Sequence, residues 1–429
     1  MLDRKIPPPY HKIDKIQIIQ AHTQYLSNHL PLHVLNAGDL DLLRIELIFP
    51  AGSQSETQNG VSYFTTKMLG EGTSKHTSAE IVEFIDNFGA FADFNHGSDR
   101  ISISLYTLSK HLEKLLPIFL ELITDSVFPQ NELENLKNIT LQNIKVNEEK
   151  NNYIASKKFR ELLFGQEHPY GRSLDEEAIQ KIERNNLIQY FQSKILYQPF
   201  DLMLSGKITD TEVALVHQIF GHLPIRSMDI HLIKHDLQGS KQLTYIFEKE
   251  GSLQSSVRMG KILFTKNHPD YFKVTVANEI FGGYFGSRLM KNIREQKGYT
   301  YGIYSNLVMM KDYGYLNIGT DVKKEFTAQT IEEIHKESQK IRTALVDAKE
   351  LETVKNYMLG SFAGSMNTPF DLGEVFKSLY FNGLEYSFYD KYIETIKSIT
   401  AEEILETAQK YLDTEDMLTV VVGGKKIKN

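Results

Sequence analysis

Two sets of side chains stand at spacings where chemistry is to be looked for. His231 and His235 are an i, i+4 pair flanked by Asp229 and Asp236, so one helical turn would present two imidazoles to a metal. No Glu lies between them as the base of an H-E-x-x-H helix would, and the pair is expected to be structural. Tyr63, Thr66 and Lys67 are i, i+3 and i+4 neighbours that share one helix face, with Val61, Phe64 and Met68 on the opposite, core-facing side. Their chemistry is wrong for a metal: a charged Lys has no lone pair, and Tyr and Thr hydroxyls bind zinc poorly. The helix is expected to be metal-free, with Lys67 solvated.

The stretch Gly60 to Met68, read with Leu69 to Ile81, resembles the signature region of the pitrilysin/insulinase metallopeptidases. There an H-x-x-E-H helix is followed by a Gly-Thr turn and a second helix. The resemblance implies two zinc-binding His and a water-activating Glu at the positions held here by Tyr63, Thr66 and Lys67. The family's third ligand, a Glu on a later helix, corresponds to Gln142 or Asn143 within Asn131 to Lys150. Recruiting Glu148 or Glu149 would need a slip of more than one turn, and neither would have a histidine partner. No metal ligand is assigned to this chain.

A second segment, Asn278 to Asn306, resembles another ordered motif of the family: Gly282 and Gly283, then Ser287-Arg288-Leu289, Ile293-Arg294-Glu295, Gly298, Tyr301 and Tyr304-Ser305. In the family an Arg and a Tyr seven positions apart reach into the zinc site of the opposing domain, and Arg294 and Tyr301 match that spacing. A guanidinium and a phenol together offer donors for the oxyanion of a peptide-hydrolysis intermediate, and neither needs a metal of its own. Arg294 and Tyr301 are the expected catalytic residues. Gly282 and Gly283, with Gly286, form a loop that could let a substrate backbone approach or could simply turn the chain, and they are taken as the substrate-binding candidates. No G-K-[ST] follows, so this is not a phosphate loop. His168-Pro169-Tyr170-Gly171-Arg172 resembles a recurrent family loop and is expected to fix loop shape.

The resemblance runs from about Leu30 to Val422 and implies a two-chain enzyme of which this is the half without zinc. The expected partner is a homologous zinc-bearing subunit with H-x-x-E-H, the expected substrate a short or unfolded peptide added to a sheet edge, and the isolated chain is expected to be inactive. A homodimer is also open to the isolated chain. The rival reading is a catalytically silent binding or scaffold subunit. Composition narrows the field further. A hydrophobic share of 41% and a charged share of 24% suit a soluble globular chain, and a net charge of −7 without a basic run argues against nucleic acid. Zero cysteines exclude disulfides, thiolate metal sites and a cysteine nucleophile. Met1 to Gln17 contains no apolar core of a signal peptide and no run approaches a membrane span, so a cytoplasmic location is expected.

An internal repeat sets the plan of the elements that must position these residues. Glu132-Leu133-Glu134 with Lys137-Asn138 recurs as Glu350-Leu351-Glu352 with Lys355-Asn356, displaced by 218, about half of the 429 residues. Each half is expected to be an α+β unit, a mostly antiparallel sheet with helices on one face: residues 1–222 with the degenerate zinc helix and 223–429 with the Arg/Tyr motif. In the first, an alternating strand over Leu43 to Leu47 leads to the Tyr63 helix and then to a helix over Ser78 to Phe88, capped by Thr77 and Glu80. Two strands after Gly89 and helices from Leu112 to Phe128 and from Asn131 follow. The second half repeats the order with a strand pair in Gln242 to Phe264, helices at Pro269 to Phe281 and Arg288 to Gln296, strands across Tyr301 to Val322, further helices to about Leu412, and a last strand at Leu418 to Val422. The join is expected between His222 and Leu237.

Overall fold

Apolar residues at alternate positions put Leu43, Ile45, Leu47 and Phe49 on one side of an extended segment and Ile101, Ile103 and Leu105 on the same side of another, and all seven are buried. A computed structural model describes residues 16–226 and 235–423. His231 therefore lies outside the described residues. In the first half β1 (His22–Tyr25), β2 (Pro31–Asn36), β3 (Leu42–Phe49), β4 (Phe91–His96), β5 (Ile101–Leu108) and β6 (Asp201–Gly206) form a sheet in the order β1-β2-β6-β3-β5-β4. In the second, β7 (Thr244–Phe247), β8 (Gln254–Leu263), β9 (Thr300–Met309), β10 (Gly314–Lys323) and β11 (Leu418–Val422) are ordered β7-β11-β8-β10-β9. Each sheet has one parallel pairing, β2 with β6 and β7 with β11, and is otherwise antiparallel. Apart from β1, the two sheets share one plan.

The expected strand pair over Gln242 to Phe264 is not a pair. β11 lies between β7 and β8. All five residues of Leu-Thr-Val-Val-Val are buried, and a run apolar on both faces needs a central position. β7 is short, and Thr244 at its start is exposed.

Each half's own helices cover one face of its sheet and build the two large cores. The other face is closed by an exchange. Helix Asn151–Phe164, from the first half, lies on β8 and β11 and packs Ala155, Phe159 and Phe164 against Tyr315, Val420 and Val422. Helix Pro369–Tyr380, from the second, lies on β2 and β6 with Leu372 and Phe376 against Leu35, Ile48 and Met203. Under each crossed helix sits a buried arginine. Arg44 of β3 donates to Glu374 (2.9 Å), and beside it both oxygens of Glu46 lie 2.8 Å from Lys377 Nζ. Arg258 of β8 donates through Nε to Ser156 Oγ at 3.0 Å.

The local expectations for the site-bearing helices hold closely. Val61–Met68 and Ser78–Asn87 are helical, and Thr77 and Glu80 make the reciprocal capping box. Leu112–Thr124 and Gln130–Glu148 follow. Helix Tyr271–Asn278 continues into a π-helical turn at Glu279–Gly283, and a second π-helical stretch spans Met290–Gln296. Such wide turns recur at functional sites. Among the described residues no helix is long and apolar enough to cross a membrane.

Candidate functional site

Helix Val61–Met68 begins at Gly60, whose φ of 92° favours glycine and where a Cβ would lie 2.6 Å from Leu174 Cδ1. Its exposed amides are taken by one carboxylate. The buried Glu56 accepts from Gly60 N (3.2 Å), Ser62 N (2.9 Å) and Ser62 Oγ (2.5 Å), where the positive end of the helix favours a negative charge. Arg172 neutralises it at 2.8 Å, so the His168 to Arg172 loop holds this helix start in place.

The face of Tyr63, Thr66 and Lys67 is half-buried or buried throughout. Thr66 is buried and donates to Ser62 O at 2.7 Å. Lys67 is half-buried rather than solvated, and its ammonium donates to Phe94 O on β4, the edge strand. A helix seated against a strand gives a four-carbon stem an acceptor within reach that is nearer than bulk water. Tyr63 sets its ring edge-on to His96. His96 Nε2 is 2.7 Å from Ser62 Oγ. Because Ser62 gives its proton to Glu56, the network assigns the hydrogen of this contact to His96 Nε2. Burial first, and the nearby Lys67 charge second, push the His96 pKa down to about 4, so the ring is neutral.

Gln142 and Asn143, on the helix packed beside Val61–Met68, are both exposed amides. Among the described residues no group of three or more His, Cys, Asp or Glu side chains is placed to hold a metal ion. A zinc ion such as the family's H-x-x-E-H helix holds does not fit here, since Thr66 and Lys67 direct donors at carbonyls where a cation would require lone pairs.

The second constellation is open. Tyr301 stands on β9, the edge strand of its sheet, and is 95% exposed. The π-helical stretch carrying Arg294 packs on β9, and the guanidinium carbon lies 4.4 Å above the ring of Phe285, itself exposed. Among the described residues neither the Arg294 guanidinium nor the Tyr301 hydroxyl has a hydrogen bond or an ion pair. The close approach that Gly282 permits is to the protein's own strand: a Cβ there would lie 2.6 Å from Ser305 Cβ. Gly283 faces Glu279, whose carboxyl burial pushes up to about 7. His235 comes within 3.4 Å of Gln54 O and stacks edge-on to His168, a seam contact between the halves.

Two parts of this arrangement escape a reading of the sequence. One is the Glu56–Ser62–His96 chain. The other is Asn278, buried at the end of its helix, which donates to Ser305 O at 2.7 Å and accepts from Ser305 Oγ. An amide among the buried Val274, Ala277 and Phe281 is the signal that points to it.

Known proteins share this architecture. Residues 41–175 match the family described as insulinase (peptidase family M16), and residues 181–358 match the peptidase M16 inactive domain. An uncharacterized zinc protease, YmxG of Bacillus subtilis, is 26% identical over 74% of this chain and 77% of its own length. A protein of Helicobacter pylori called non-peptidase homolog YmxG is 23% identical over 89% of each. The crystal structure of a peptidase M16 inactive domain from Pseudomonas fluorescens superposes with a TM-score of 0.85 over 95% of this chain and 99% of that one, at 24% identity. A protease from Helicobacter pylori gives a TM-score of 0.83 at 14% identity, over 95% and 100%.

Proposed function

The chain belongs to the insulinase (peptidase M16) family, and we propose that within it this chain is the non-zinc subunit of a two-chain metallopeptidase that cleaves short or unfolded peptides. The observation that carries this reading is that, among the described residues, the Arg294 guanidinium and the Tyr301 hydroxyl make no hydrogen bond or ion pair, whereas Thr66 and Lys67 of the first-half helix both donate to backbone carbonyls. A guanidinium stacked on Phe285 and a phenol, neither with a hydrogen-bond acceptor among the described residues, are donors held ready for an acceptor from outside the chain. Zinc, water and the general base would belong to the partner. This chain would contribute donors to the developing oxyanion.

The test is reconstitution with the H-x-x-E-H homologue that co-purifies from the native cell. Removing one donor aimed at developing negative charge costs about 10²- to 10³-fold in turnover. Arg294→Ala and Tyr301→Phe are each expected to show that loss while gel filtration still finds the complex and the partner keeps its zinc. Phenylalanine keeps the ring, so lost packing does not account for a defect in that variant. The chain alone is expected to bind no stoichiometric zinc by elemental analysis and to cleave nothing.

The name of the Helicobacter relative supports a second reading, a catalytically silent binding or scaffold subunit of the same fold. If both variants assemble and cleave at the unaltered rate, that reading replaces the first.

A further inference from the structure

Where the end of β4 and the start of β5 face helix Pro369–Tyr380, a cleft opens between the halves, with Asn95, Arg100, Lys377 and Phe381 and the carboxylates of Glu46 and Glu374 among its walls. The Arg100 guanidinium carbon lies 4.0 Å above the Phe381 ring. Stacking on a ring face leaves the in-plane N–H fork free to donate. Among the described residues that fork meets no hydrogen-bond acceptor and no carboxylate at ion-pair distance, and its half-burial draws the pKa below the usual arginine range.

The carboxylates around it are committed elsewhere. Asp99 accepts from the Tyr170 hydroxyl at 2.6 Å and Asp201 lies 3.1 Å from His33 Nε2. Glu46 is held by Lys377, and Glu374 by Arg44 and Lys377. A second cation stands behind the same wall. Among the described residues Lys266 reaches only the Ser378 hydroxyl, at 2.6 Å, and burial lowers its pKa with no carboxylate there to offset it. Ser378 and Phe381 are i, i+3 neighbours, so both cations converge on the end of one helix. The partial negative charge of a helix C-terminus offsets part of their desolvation. It supplies no planar acceptor pair for the Arg100 fork.

We infer that this cleft binds the carboxylate of a ligand, either the C-terminus of a peptide or an acidic side chain, with Arg100 as its receptor and Lys266 as a supporting charge. A bidentate carboxylate matches the guanidinium fork in geometry and relieves the desolvation of both cations. The inference stands whether or not the chain feeds Arg294 and Tyr301 to a partner, because the cleft is built from other residues.

Titration calorimetry of the full chain at low salt tests it with three acetylated probes: Ala-Ala-Ala with a free C-terminus, the same peptide as its amide, and Ala-Asp-Ala amide. At least one carboxylate probe is expected to bind about tenfold or more tighter than the neutral amide, as one charge-assisted fork implies, and which one does identifies the source of the carboxylate. Arg100→Gln is expected to abolish that preference and Lys266→Gln to weaken it, with the thermal transition retained. Should Arg100→Gln fail to fold, Lys266→Gln decides alone. Equal binding of all three probes, no binding at millimolar concentration, or a preference unchanged in the variants overturns the assignment.

Discussion

Both halves seat a helix against an edge strand and close the contact with a side chain on a backbone carbonyl, but they use different chemistry. In the second half the buried Asn278 amide and Ser305 satisfy each other in two hydrogen bonds. In the first half the Lys67 ammonium caps Phe94 O with a single bond, half in water. A position where the family resemblance calls for a zinc ligand thus does what Asn278 does in the half that has no such ligand. The first half has become a structural counterpart of the second at this joint. What differs is what each leaves free: Thr66 and Lys67 both donate to backbone carbonyls, whereas among the described residues the Arg294 guanidinium and the Tyr301 hydroxyl make no hydrogen bond or ion pair.

If the Asn278 joint is the fully desolvated one, Asn278→Leu is the most damaging change. It strands both Ser305 O and Ser305 Oγ in a buried site and is expected to lower stability by about 3 kcal/mol in urea unfolding, at the high end for an unsatisfied buried pair. A cost no greater than that of breaking the Lys67 contact would end the comparison.

His96 carries the next largest effect. The folded pKa is about 4 against an ordinary value of 6.5, so between those two pH values the unfolded chain binds the extra proton. Stability from this group is present above pH 6.5 and is lost as pH falls toward 4, by about 2–3 kcal/mol. His96→Gln is expected to remove that slope, seen as a shallower fall in unfolding free energy between pH 6.5 and 4.5 than the parent shows. An identical slope in both proteins would mean that His96 is not held neutral.

Lys67→Met should have the smallest effect on stability, about 1 kcal/mol for a half-exposed hydrogen bond. Removing the Lys67 charge leaves burial alone acting on His96, so the His96 titration followed by NMR is expected to move upward from about 4. An unmoved titration would place Lys67 away from His96, and the joint as drawn would be wrong.

What can be read along the chain is what depends on neighbours in sequence. Helix periodicity places Tyr63, Thr66 and Lys67 on one face, their functional groups rule out a metal, and the displacement of 218 between Glu132 and Glu350 announces two similar halves. The Thr77–Glu80 cap and the alternation in β3 and β5 are local in the same sense. The rest is settled by residues far apart. Amphipathic helices at Asn151–Phe164 and Pro369–Tyr380 announce that each has a face to bury, but nothing in either says that it belongs on the other half's sheet. Arg44 meets Glu374 across 330 positions, and β11 enters between two strands that precede it by more than 150 residues. The engagement of Lys67 was unreadable for the same reason. Periodicity gives the direction of a side chain from its own backbone, while the acceptor that meets it is delivered by the packing of a different element.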